Sequence, residues 1–183
     1  MKTNMEHYLV ITAVGTDRPG ISDEITHLVT QCGCNIVDSR IALFGSEFTL
    51  IMLLSGNNNA ISRIESTLPL KGQEHDLITV IKRTSKHQQR FFPYTADFHI
   101  EANDSPGLIK QFTHFMASRH IDISTLSANT VESQTVGTMD QLVLQISTNL
   151  PEDCNLMTLQ EEFETLCQSL SAKGSVNFIG HTH

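Results

Sequence analysis

A chain of 183 residues suits one ordinary domain or two small ones, and 39% apolar with 17% charged residues is globular composition with no disordered arm. The formal net charge of −8 is uneven, since residues 1–86 hold 8 Lys and Arg against 9 Asp and Glu, while residues 87–183 hold 4 against 11. Neither half carries the basic stripe that displaces phosphate counterions, which speaks against direct DNA binding; the acidic second half reads as a solvated surface or as a face for a basic protein partner.

The chain opens on polar Lys2, Asn4, Glu6 and His7 before a short apolar run. That pattern is neither a signal peptide nor long enough to span a membrane, so a cytoplasmic location is expected. Tyr8 to Val14 reads as a strand, apolar on both faces (Leu9, Ile11, Ala13 and Tyr8, Val10, Val14). Asp17-Arg18-Pro19-Gly20-Ile21 follows, a turn in which Asp is placed to cap a helix and Pro suits its first residues. The stripe Ile21, Ile25, Leu28, Val29 then predicts an amphipathic helix, with Cys32 at the next apolar position and Cys34 after Gly33. Asn35-Ile36 leads into extended stretches over Val37 to Phe44 and Glu47 to Leu54, a helix near Ala60 to Leu68, and a last strand near Leu77 to Lys82. The back of this first sheet, including Tyr8 and Met52, is expected to be covered by a subunit or inter-domain contact, because an apolar open face must be covered.

Residues 87–93 read as a linker, separating a first domain over 1–86 from a second over 94–183. The second repeats the first at an offset of 87: Asp104-Ser105-Pro106-Gly107-Leu108 matches Asp17 to Ile21, the stripe Leu108, Phe112, Phe115, Met116 matches the first helix, and Asp122-Ile123 matches Asn35-Ile36. Strands are predicted over Thr95 to Glu101, Ser124 to Val131, Gln141 to Ser147 and Val176 to Ile179, with a helix over Leu156 to Leu170 that is expected to be longer than its counterpart in the first copy. A polar segment around Glu132 to Thr138 has no equivalent in the first copy. The order βαββαβ, twice, gives an α+β fold of two ferredoxin-like units, each a four-stranded antiparallel sheet with two helices on one face. Units this small are expected to pack on one another or on a second chain.

The strand-to-helix turns carry the functional reading. Free N–H groups and a positive dipole end at a helix start favour a carboxylate, and Asp17 or Asp104 is suited to an ammonium group, with Asn35 or Asp122 as a further contact if the fold brings the segments together. The bland alternative is that Asp-x-Pro-Gly is helix-starting chemistry alone. Gly15 to Ile21, the following helix and Asn35-Ile36 resemble the signature of ACT domains, and two such units with little else resemble the glycine cleavage system transcriptional repressor family. The resemblance implies an amino-acid effector, glycine above all, bound at interfaces between copies through Asp17, Gly20, Ile21, Asn35 and Ile36, and through Asp104, Gly107, Leu108, Asp122 and Ile123. It also implies repression by contact with a DNA-bound activator protein. Where Arg18 becomes Ser105 and Asn35 becomes Asp122, the extra carboxylate weighs against the second copy, so the first is expected to be the better ligand site.

Other chemistry is not expected. Cys32, Cys34, Cys154 and Cys167 lack paired C-x-x-C spacing and read as reduced thiols. His27, His99, His114 and His120 form no ligand motif; His114 and His120, six apart, point well away from each other on a helix. His181-Thr182-His183 reads as a frayed end, and Glu161, Glu162 and Glu164 as a solvated face. With no nucleophile elbow and no phosphate loop, neither catalysis nor a cofactor is expected. The alternatives are an amino-acid-binding module serving a metabolic enzyme, and an interaction scaffold without a ligand.

Overall fold

The computed structural model of the chain describes residues 6–86, 92–134 and 137–181. The chain divides into two compact units, Met1–Gln88 and Gln89–His183. Of the predicted linker 87–93, only Phe92 and Pro93 fall within the described residues, as do all but residues 135 and 136 of the polar segment at 132–138. Thr182 and His183 also lie outside them.

The first unit runs β1 (His7–Thr16), α1 (Ile21–Gln31), β2 (Asn35–Phe44), β3 (Glu47–Gly56), α2 (Asn58–Glu74) and β4 (Ile78–Thr84). The second runs β5 (Tyr94–Asn103), α3 (Leu108–Ala117), β6 (Asp122–Val131), β7 (Gln141–Asn149), α4 (Leu156–Ser169) and β8 (Lys173–Gly180). Each sheet is antiparallel, in the order β2-β3-β1-β4 or β6-β7-β5-β8. The α+β fold of two βαββαβ units is as the sequence predicts.

Period-two alternation decides which side chains enter each core. In β1, Leu9, Ile11 and Ala13 face the helices at 0% exposure, and in β5 Ala96, Phe98 and Ile100 face theirs at 0%, 1% and 1%. The helices answer with Ile21, Ile25 and Val29 in α1, and Leu108, Phe112, Phe115 and Met116 in α3. The second core is the more aromatic: Phe163 of α4 meets Phe98 edge-on at 4.9 Å between ring centroids and lies 6.2 Å from both Phe112 and Phe115.

Two expectations are corrected. The later helix is longer in the first unit, at 17 residues against 14, because it runs on through Pro69. Proline there removes one backbone donor, but the turns on either side stay anchored by buried Leu68 and Gly72, so the helix continues. Met52 is not on the back of the sheet. It pairs with Ile11 on the helix face and is 2% exposed, whereas Tyr8 is half-buried on the other side.

Candidate functional site

The two Asp-x-Pro-Gly turns have the same backbone. The Asp17 amide donates to Ser46 O at 3.1 Å and the Asp104 amide to Asp140 O at 2.8 Å, so each turn is tied to the hairpin between the second and third strands of its unit. Ile21 N–H then reaches Arg18 O, and Leu108 N–H reaches Ser105 O, both at 3.3 Å. The residue that caps each helix is glycine in the left-handed region, Gly20 at φ 89° and Gly107 at φ 86°, with no side chain capping the amides. The expected cap by aspartate is therefore absent in both units. A Cβ on either glycine would meet nothing within 4 Å, so the glycine answers the backbone's handedness and the space in front of it is open. The next amides, of Ser22 and Asp23 or of Ile109 and Lys110, belong to the first helical turn and have no helical acceptor.

The side chains of Ile21 and Leu108 are 2% and 5% exposed and belong to the cores. They fix the helix start, and what they offer a ligand is backbone. Asp17 is exposed, while the exposed Asp104 accepts a hydrogen bond from Thr130 Oγ1 at 3.1 Å.

The fold does not bring Asn35 or Asp122 to these turns. Asn35 pairs with Ser55 at one end of β3, while Asp17 bonds Ser46 just before its other end. Nine residues of extended chain separate the two, about 30 Å at ~3.4 Å per residue. Asp122, paired with Asn149, is equally far from Asp104 at Asp140. Within one unit the two sets of predicted residues cannot touch the same small molecule. The argument against the second turn fails with them, because the Asp122 carboxylate is at the far end of its sheet, where it accepts from Asn149 Nδ2 at 3.2 Å. Asn35-Ile36 and Asp122-Ile123 do share one feature, a bulge directly after each pair that re-aims the strand.

Charge distinguishes the turns in a way that residue spacing did not reveal. In the first unit Asp23 and Glu24 occupy the first turn of α1. Arg18 is held by Glu24 through two parallel bonds of 2.9 and 2.7 Å, and its Nη2 also donates to His75 Nδ1 at 2.9 Å, from the end of α2. The Arg18 guanidinium holds the Glu24 carboxyl below its ordinary range, chiefly by these bonds. Because arginine only donates, His75 Nδ1 accepts this bond, which leaves Nε2 as the ring's donor nitrogen. That nitrogen lies 3.0 Å from Glu24 Oε2 but off the direction a hydrogen bond needs, and it is buried without a partner. The second unit has Ser105 in place of Arg18 and Gln111 in place of Glu24, no acid in the first turn of α3, and Lys110 within it. Its turn is the more open to an anion. His75 stands 57 residues from Arg18, and no local pattern announces that contact.

Among the described residues, no three His, Cys, Asp or Glu side chains stand close enough to share a metal ion, and no helix is long and apolar enough to cross a membrane. All four cysteines are free thiols; burial raises the pKa of Cys34, Cys154 and Cys167.

Comparison with known proteins bears on the whole chain. A family model described as the ACT domain matches residues 7–82, the first unit. A glycine cleavage system transcriptional repressor of Escherichia coli (strain K12) is 44% identical over 182 residues, covering 100% of this chain and 95% of that one. A solved structure described as a glycine cleavage system transcriptional repressor superposes with TM-score 0.72 at 52% identity, covering 97% of this chain and 99% of the other. A protein of unknown function from Galdieria sulphuraria shares the fold at TM-score 0.75 and 18% identity, over 96% and 99% of the two chains.

Proposed function

Because the chain belongs to the glycine cleavage system transcriptional repressor family of ACT-domain proteins, we propose that it represses glycine cleavage genes without catalysing a reaction, responding to an amino acid and acting on a DNA-bound activator. The observation that supports this reading most is similarity along the entire length to proteins named for that role, in both units and across the join. The charge balance agrees with a protein-mediated mechanism, since −8 overall and 4 basic against 11 acidic residues beyond residue 86 leave little to grip phosphates. The acidic second half is the surface offered to the activator, and the cytoplasm is the place of action.

The effector is an amino acid, with glycine the first candidate. Its carboxylate is seated at a strand-to-helix turn, on amides that no side chain caps, and the open space before Gly20 and Gly107 admits it. The second turn is the stronger seat, because Lys110 stands in its first helical turn while Asp23 and Glu24 already answer the dipole in the first unit. Asn35, Ile36, Asp122 and Ile123 contribute to a ligand only where another sheet end is brought to meet them.

A thermal-shift screen of the twenty amino acids tests the reading, followed by titration calorimetry on any that raises the melting temperature, since a ligand that binds only the folded state stabilises it. Glycine is expected to raise it, Lys110→Glu to weaken that response, and Arg18→Ser to leave it largely intact. A flat screen would overturn the ligand response. Failure of the purified activator to associate with the chain, with or without glycine, would overturn the mechanism.

A further inference from the structure

The face of the first sheet that carries no helix is apolar and uncovered. The register sets its side chains in rows across the strands. One row runs Asp38, Leu53, Val10, Lys82, and the next runs Arg40, Ile51, Thr12, Val80. Beyond these Val14 faces Ile78. Ile78 is 72% exposed, Val80 59% and Ile51 47%, on neighbouring parts of one surface. The same face of the second sheet is different in kind, with Asp97, His99 and Glu101 along β5 and Lys173, Ser175 and Asn177 opposite them on β8. One unit thus displays a largely apolar sheet face with charges on its edge strands, and the other a hydrated one.

We propose that this apolar face of the first sheet is the contact between two copies of the chain, packed face to face about a two-fold axis that runs parallel to the strands. Three features lead to a second copy. Three ten-residue strands and the seven-residue β4, at ~3.4 Å per residue and ~4.8 Å apart, give a face of about 600 Å². Two such faces bury about 1,200 Å², at the lower end of the range of specific interfaces. The polar face of the second sheet is a poor cover, because Asp97 and Glu101 would be desolvated against valine and isoleucine. The charges on that face, Lys82 and the Asp38–Arg40 pair at 3.4 Å, are also best matched in one orientation.

That orientation follows from the rows. A two-fold axis parallel to the strands keeps each row in register and sets β4 of one copy over β2 of the other. Lys82 then faces Asp38 of the second copy, and the relation is reciprocal, so both ion pairs form at the edge of the apolar centre. An axis perpendicular to the strands reverses the rows instead. Set through the Arg40 row, it places Asp38 on Ala42, Lys82 on Ile78 and Arg40 on its own copy; set midway between the Asp38 and Arg40 rows, it pairs those two residues but leaves Lys82 on Val80. The first opposes two arginines and the second leaves Lys82 without a partner, whereas the parallel axis brings Lys82 to Asp38 and leaves Arg40 beside its own Asp38, so both perpendicular packings are disfavoured. Twist rotates the facing sheets by about 30° without exchanging edge strands. The proposal does not depend on the ligand reading.

The test is sedimentation equilibrium on the full chain, whose mass is 20.4 kDa, with and without glycine. A dimer is expected at micromolar concentration. Ile51→Asp should leave a monomer, with association weakened at least about 100-fold by a charge set opposite Thr12 of the second copy in the middle of the face. Asp38→Lys and Lys82→Asp, both at exposed positions where folding is undisturbed, should each weaken association at least about tenfold by opposing like charges, and the double reversal should restore it to within about threefold of the parent. A parent chain that stays monomeric at ~100 µM would overturn the proposal, as would a dimer untouched by Ile51→Asp or a double reversal no better than either single change. Circular dichroism of each variant confirms that the fold is kept.

Discussion

Replacing Gly20 by alanine isolates the physical reason for the glycine in the candidate turn. Gly20 sits at φ 89°, ψ −8°, and a Cβ there has no neighbour within 4 Å. Collision therefore contributes nothing, and the cost is that of a left-handed L-residue, roughly 1–2 kcal/mol. Alanine also lowers the entropy of the unfolded chain, which returns about 0.4–1 kcal/mol. The net expectation is a loss of about 1 kcal/mol without any ligand. In a unit of this size that lowers the melting temperature by ~4–8 °C. Gly20→Asn should cost less, since asparagine tolerates the conformation. Gly15→Ala makes the contrast, because its Cβ would fall 2.6 Å from Leu77 Cδ2 and 2.9 Å from the Asp76 carbonyl, and its cost should be larger. Thermal unfolding by circular dichroism measures all three. If Gly20→Ala is neutral in the absence of amino acids, or if asparagine is as costly as alanine, handedness is not the reason for the glycine.

Three further outcomes follow from the interior and the turn. Glu24, held below its ordinary pKa mainly by Arg18, stabilises the first unit above its unfolded pKa near 4.5 and loses that contribution as pH falls through the lower folded value. The stability difference between the parent chain and Glu24→Gln should shrink steadily from pH 6 to pH 3, measured by urea unfolding, and a constant difference would refute the pairing. Cys167, with its pKa pushed up to about 11 by burial, should resist thiol reagents at pH 8 until the chain unfolds, while half-buried Cys154 reacts first; mass spectrometry of alkylated peptides reads the order. Phe163→Ala empties the centre of the second core and should cost about 3–5 kcal/mol in urea denaturation, whereas a loss under ~1 kcal/mol would mean the four phenylalanines are not a packed cluster.

The repeat was legible because it lies in the order of residues. Turn, helix stripe and second-strand start recur at one offset of 87, and each becomes the same element in the two units. Relations that depend on how strands reverse were not legible. Asn35 follows α1 closely in sequence, yet antiparallel pairing sends it to the end of the sheet opposite Asp17. Met52 sits in an unbroken apolar run, Leu50 to Leu54, where hydrophobicity cannot say which face a residue takes; its partner Ile11 decides it. The helix through Pro69 was cut short by a local signal that tertiary packing overrode. The contact of Arg18 with Glu24 and His75 depends on the end of α2 returning to the start of α1, and it altered the reading of which turn is open to an anion.

The hydrated outer face of the second sheet sets a limit on growth. A chain with two adhesive sheets would have a valence of two and could string into open polymers, gaining length with concentration. With Asp97, His99 and Glu101 solvated on one sheet and valine and isoleucine exposed on the other, each chain has a valence of one, and pairing about a two-fold axis uses it up. Such an assembly terminates itself at a fixed stoichiometry.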